Sequence, residues 1–214
     1  MTLDNSSGLL ERMRSAIGEM GRPAPMEGSD RAFPVLVGTI ISLRTRDAVT
    51  RKVSLRVLSE APTPQALASM DQGRLEELLR PAGFYRQKAG QLKAISSILL
   101  RDFGGTVPRS ISELLGLPGV GRKTANFVLG MVFGIPSICV DVHVHRISNR
   151  LGLVETRSAE ETETGLQRIF LEEEWTGINH TMVRFGQEIC RPVRPRCHDC
   201  PFVGDCPSST VERA

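Results

Sequence analysis

No run of apolar residues in this sequence is long enough for a signal peptide or a membrane span. The expectation is an intracellular protein with no membrane partner. Low-complexity tracts are missing too, and no block of like charge is long enough for a disordered tail. The chain should be globular nearly throughout its 214 residues, a length that buries one large core or two small ones without disulfide staples. Strand-like alternation is scarce and no internal repeat is visible. Those absences leave an all-α chain.

Helical periodicity is what the sequence does carry. Leu9, Leu10, Met13, Ile17 and Met20 fall on one face, as do Leu92, Ile95, Leu99 and Phe103. Ser110 with Glu113, and Ser158 with Glu161, have the spacing of a capping box, in which serine and glutamate satisfy orphan N–H groups reciprocally. Pro62, Pro64, Pro81, Pro108, Pro118 and Pro136 separate the segments. Helices are predicted at 7–20, 30–43, 46–59, 64–69, 72–80, 86–103, 110–115, 122–133, 143–151, 159–172 and 178–190. Gly, Pro and small residues gather near 22–29 and 134–140, the plausible lobe boundaries on either side of a central helical block.

The charge balance, 27 Lys and Arg against 24 Asp and Glu, decides nothing by itself. Position says more. Arg44, Arg46, Arg51, Lys52, Arg86, Lys88, Arg122, Lys123, Arg191, Arg194 and Arg196 cluster at segments that read as turns, where a polyanion backbone is within reach.

Four of the five cysteines crowd into Cys190, Cys197, Cys200 and Cys206, spaced C-x6-C-x2-C-x5-C. In a reducing compartment such crowding points to a metal site rather than to disulfides. A compact all-thiolate set suits an iron–sulfur cluster; structural zinc is the rival, although four-cysteine zinc sites more often pair two C-x2-C knuckles. Between the first two ligands, the proline-rich loop presents Arg191, Arg194 and Arg196. These either contact phosphate or offset the charge of the thiolates. Cys139 has no neighbouring cysteine and is expected to be a buried small residue.

Residues 110–130, SISELLGLPGVGRKTANFVLG, read as a short capped helix, a tight turn and a second helix opening at Arg122. Gly119 and Gly121 permit the dihedrals such a turn needs. The N–H groups from Val120 to Lys123, at the positive end of a helix, are placed to receive a phosphate oxygen. Most Gly-Pro turns are plain connectors, but Arg122 and Lys123 occupy a first turn that favours acidic residues. Lys123 is the candidate nucleophile, since a helix N-terminus, a neighbouring cation and partial burial would all disfavour its charged form; the alternative is an exposed cation on phosphate. Asp141 precedes a helical run in the N-cap position, a role compatible with catalysis because a cap fixes the carboxylate. His143 and His145 diverge on a helix and read as core or hydrogen-bonding residues, with His145 near a DNA surface.

LPGVGRKTAN, VDVHVHR, HTMVRFGQEIC and the cysteine spacing, taken together, resemble endonuclease III of the helix–hairpin–helix, Gly/Pro-Asp superfamily of DNA glycosylases, over roughly residues 7–206. The resemblance implies an all-α monomer of two lobes with DNA between them. One lobe is a six-helix barrel (28–136) containing the hairpin; the other is a four-helix cluster domain (1–27 plus 137–214). It implies a [4Fe–4S] cluster on Cys190, Cys197, Cys200 and Cys206, and a cytoplasmic enzyme, nucleoid-associated if bacterial or archaeal. Its partner would be double-stranded DNA carrying damaged bases or abasic sites. Lys123 matches the family's catalytic lysine, which attacks C1′, expels an oxidised pyrimidine and forms a Schiff base that leads to β-elimination. Asp141 matches its catalytic aspartate, and Gly119, Val120, Gly121 and Arg122 the DNA-gripping hairpin.

The departures concern the residues that fill the duplex. Ser42-Leu43-Arg44-Thr45-Arg46-Asp47 puts Arg44 where the family commonly has glutamine, with Asp47 retained as the motif's aspartate. Gly83-Phe84-Tyr85 puts Phe84 where a leucine wedges, and Val142 follows Asp141 where threonine is common. Arg44 and Phe84 are expected to fill the duplex from opposite sides. The rival readings are a mismatch-type or other-specificity glycosylase of the same superfamily, a non-catalytic DNA-binding protein, and a zinc-binding module.

Overall fold

The computed structural model describes residues 6–18 and 28–211. Met20 and residues 22–27 of the first expected boundary lie outside them. Among the described residues the chain has eleven α-helices and no strand. It divides into two compact units, Met1–Ala24 with Pro136–Ala214, and Pro25–Ile135. No helix of the described residues is long and apolar enough to cross a membrane.

The continuous unit contains α2 (Ala32–Ser42), α3 (Asp47–Glu60), α4 (Pro64–Ser69), α5 (Gln72–Leu79), α6 (Tyr85–Asp102), α7 (Ile111–Leu115) and α8 (Arg122–Phe133). Helix α2 is apolar nearly all round, and so it is central, packed against α3, α6 and α8 with Leu36, Ile40 and Ile41 fully buried. Truncating one of these to alanine costs about 2–5 kcal/mol. Helix α6 buries Leu92, Ile95 and Leu99 at helical spacing, with Lys88 on the same stripe. Ser110 accepts from the Glu113 N–H at 3.3 Å, while its hydroxyl donates to the Glu113 carboxylate at 2.6 Å. Gly134, left-handed at φ 62°, ends α8.

In the discontinuous unit, α1 (Ser6–Ala16) and α9 (Val142–Arg150) both pack on α11 (Trp175–Glu188), and α10 (Ala159–Gln167) packs on α9. Leu9, Met13, Val144, Ile147, Met182 and Phe185 form the centre of its core. The boundary between the last two helices differs from the sequence reading, which carried α10 to 172 and began α11 at 178. Ile169, Phe170 and Leu171 continue the apolar pattern past the end of α10, but a 3-10 turn at Glu172–Glu174 interrupts the backbone. That turn is pinned by the Leu171 N–H on Glu174 Oε2 (3.2 Å) and by the Trp175 indole on the Phe170 carbonyl (3.0 Å).

Candidate functional site

The hairpin lies in the continuous unit. Helix α7 turns through Leu117–Val120 into α8, and Gly119 is left-handed at φ 73°. A Cβ there would stand 2.6 Å from the Gln91 amide, the movable end of a side chain, so it is the backbone conformation that calls for glycine. Gly121 caps α8 from extended backbone without contributing a side-chain acceptor. Arg122 and Lys123 are exposed, whereas Thr124 and Ala125 turn into the core. The partial burial expected for Lys123 is therefore not found, because the inward side of this first turn belongs to the next two residues. Val120 also departs from expectation: its side chain is buried and its N–H donates to the Leu117 carbonyl at 3.1 Å. Val120 is a turn-locking core residue, not an open donor to phosphate.

Arg44 and Phe84 lie in the same unit, both exposed and both with positive φ, 53° and 56°. A left-handed backbone is uncommon for bulky side chains and persists only where surrounding structure enforces it. The Arg44 guanidinium carbon lies 5.3 Å from the Phe84 ring centroid, so the two expected fillers stack on each other. Asp47 opens α3 and is exposed. The cations Arg46, Arg51, Lys52 and Arg86 are exposed, as expected.

Lys88 is not. Grouped with the cations at turns by its sequence position, it is 3% exposed, and its ammonium donates to the Ile41 carbonyl (2.7 Å), the Leu43 carbonyl (2.6 Å) and Thr45 Oγ1 (2.8 Å). Burial pushes its pKa down to about 8. One signal pointed this way: Lys88 shares the apolar stripe of Leu92, Ile95 and Leu99.

In the discontinuous unit, Asp141 caps α9, Oδ1 accepting from the His143 N–H at 2.8 Å and the Val144 N–H at 3.0 Å. Its carboxylate is thereby held in one orientation and remains partly exposed. His143 contacts Arg146 (Nδ1 to guanidinium, 3.1 Å). His145 turns inward, Nδ1 lying 2.7 Å from Thr162 Oγ1 in a network with Asn149 and Thr156, rather than toward a surface contact. Cys139 is buried, as expected.

Cys190, Cys197, Cys200 and Cys206, none of them in a disulfide, line one cavity. Among the described residues no group of three His, Cys, Asp or Glu side chains is arranged to hold a single metal ion. Burial raises the Cys200 and Cys206 thiols, and the neighbouring cysteines add to the effect. The segment is anchored in two ways that its spacing did not reveal. Phe202 packs edge-on against Phe185 at 6.0 Å, and Arg12 from α1 lies 4.5 Å over the Phe202 ring. From α9, Arg146 donates to the Cys190 carbonyl (2.9 Å), and Arg150 to the carbonyls of Arg191 (2.7 Å) and Pro192 (2.9 Å). Arg191, Arg194 and Arg196 are exposed, with Arg196 paired to Asp199 at 2.7 Å.

Residues 37–171 match the family model described as HhH-GPD superfamily base excision DNA repair protein. Endonuclease III of Thermotoga maritima is 49% identical over 174 residues, covering 81% of this chain and 82% of that protein. Endonuclease III of Bacillus subtilis is 36% identical, covering 81% and 80%. A solved structure of a trapped endonuclease III–DNA covalent intermediate, 33% identical, superposes over 97% of both chains with a TM-score of 0.85. With family motif, sequence identity and fold in agreement, the chain belongs to the endonuclease III family of the HhH-GPD superfamily of base excision DNA repair proteins.

Proposed function

We propose that the chain is a bifunctional DNA glycosylase and abasic-site lyase of base excision repair that removes oxidised pyrimidines from double-stranded DNA. The observation that carries the reading is Lys123, exposed on the first turn of glycine-capped α8, directly after the Gly119 turn, in a chain 49% identical to an endonuclease III. The other lysines support the choice. Of the four in the chain, Lys88 is buried, Lys93 donates to the Met70 carbonyl at 2.5 Å, and Lys52 lies along α3.

In this reading the Lys123 amine attacks C1′ of an extruded nucleotide, and the glycosidic bond breaks with its electron pair leaving on the base, which takes up a proton. Ring opening produces the Schiff base; loss of a C2′ proton then expels the 3′ phosphate. Asp141 accepts the lysine's proton and stabilises positive charge on the sugar. Gly119, Gly121 and Arg122 grip the backbone, with Arg191 and Arg194 as further phosphate contacts. Extruding the base costs a few kcal/mol, least where damage has weakened the pairing.

The donor set suits a [4Fe–4S] cluster held by Cys190, Cys197, Cys200 and Cys206: four thiols outside any disulfide, delivered by one segment, around one cavity. With every ligand supplied by protein, such a group orders the loop that carries Arg191 and Arg194 and offers no open position for substrate. The deciding test of the reaction is borohydride reduction during turnover on a duplex with one oxidised pyrimidine. A covalent protein–DNA adduct is expected, and its absence from an active preparation overturns the lyase assignment.

A further inference from the structure

Two exposed residues with strained backbones, Arg44 and Phe84, arise from separate parts of the chain, yet a single buried group ties their segments together. The Lys88 ammonium spends its three protons on the Ile41 and Leu43 carbonyls at the end of α2 and on Thr45 Oγ1, one residue on either side of Arg44 being Leu43 and Thr45. Uncapped carbonyls at a helix C-terminus form its negative end, which favours a cation there. The Thr45 hydroxyl is then saturated. It accepts from Lys88 and from the Gly83 N–H (3.2 Å) and donates to the Leu43 carbonyl (3.4 Å), using its one proton and both lone pairs.

Gly83 precedes Phe84, and a Cβ at Gly83 would stand 2.7 Å from the Arg44 carbonyl oxygen, so the two backbones touch. The backbone N–H of Lys88 completes the link by donating to the Phe84 carbonyl at 3.0 Å. Lys88 therefore holds the Phe84 carbonyl with its main chain and the segment around Arg44 with its side chain, while Thr45, which accepts from its ammonium, holds Gly83. Left alone, each left-handed residue would relax to the ordinary basins.

We infer that Lys88 is a positioning residue for base extrusion: it locks Arg44 and Phe84 into one rigid pair, so that both enter the duplex together in a prepaid conformation. The inference rests on the proposed glycosylase reading. It assigns to a lysine that never meets DNA the task of setting how readily a paired base is displaced. A process that needs both fillers depends on that rigidity, whereas chemistry at a sugar that has already lost its base depends on it less.

The test measures single-turnover rates for wild type and Lys88→Met on two duplexes, one with a paired oxidised pyrimidine and one with a preformed abasic site. Excision is expected to fall on the order of tenfold, and cleavage at the abasic site by a clearly smaller factor. Adding Lys88→Met to an Arg44→Ala, Phe84→Ala protein is expected to cost less than about twofold more, because the pair it positions is gone. Equal losses on both duplexes, or losses that multiply with those of the fillers, overturn the inference and leave Lys88 a plain core residue. Thr45→Val keeps the ammonium while removing the shared hydroxyl. It should give the same pattern at about a third of the effect, and it carries the test should Lys88→Met not fold. A wild type inactive on both duplexes would instead indict the glycosylase reading.

Discussion

The guanidinium of Arg44 rests on the ring of Phe84, 5.3 Å from its centroid, so the residues expected to enter the duplex from opposite sides form one stack in the free chain. A weakly hydrated, planar cation is well suited to a ring face. It keeps its donor fork available, and that fork matches guanine O6 and N7. A preference for lesions opposite guanine is expected to weaken in Arg44→Gln, by about 1–3 kcal/mol of discrimination. Excision of one oxidised pyrimidine opposite each of the four bases measures it. An unchanged ranking reduces Arg44 to a phosphate contact.

Lys123→Ala should lose base removal and strand cleavage by on the order of 10⁴-fold or more, together with all borohydride trapping, while duplex affinity changes little. A borohydride-stable adduct at wild-type yield would identify another amine as the nucleophile.

Asp141→Asn separates the cap from the chemistry. Asparagine still accepts the two N–H bonds of the α9 cap, so thermal stability should hold, while turnover falls on the order of 10²-fold. Asp141→Ala should in addition lose about 1 kcal/mol of stability. Equal melting losses in both variants would assign Asp141 a structural role alone.

Purified without oxygen, the protein should contain iron and acid-labile sulfide, and Cys200→Ser should lower both the melting temperature and the soluble yield. Stoichiometric zinc with no iron would sink the cluster assignment.

The Lys88 ammonium should titrate with a midpoint of about 8, read from its side-chain resonances. The sign follows from linkage. The folded value lies below the unfolded one, so the native chain sheds this proton first. Stability then rises with pH from about 8 toward the ordinary lysine value of 10.5, and the gain is lost as pH falls through 8. Denaturant melts of wild type and Lys88→Met across that window should therefore diverge, and parallel curves would show the shift to be absent.

Much of this was legible in the residues because it is local. Apolar spacing, capping serines and separating prolines together marked the eleven helices found among the described residues, and Ser110, Asp141 and Ser158 proved to be caps where their sequence positions placed them. What escaped depends on residues distant in the chain. Nothing next to Lys88 announces that Ile41, Leu43 and Thr45 surround it, and nothing near Val120 says that its N–H is already taken within the turn. The exposure of Lys123 and the inward hydrogen bond of His145 likewise depend on which side of a helix meets the core.

Helix α9 has a consequence for inheritance. Asp141 starts it, and Arg146 and Arg150 along it hold the carbonyls of Cys190, Arg191 and Pro192, with Arg150 separated from Cys190 by 40 positions in sequence. One short helix is thus a shared inheritance for the carboxylate and the thiol loop, and drift at either arginine would mimic loss of a cysteine. In a family tree, these positions should change in concert or not at all.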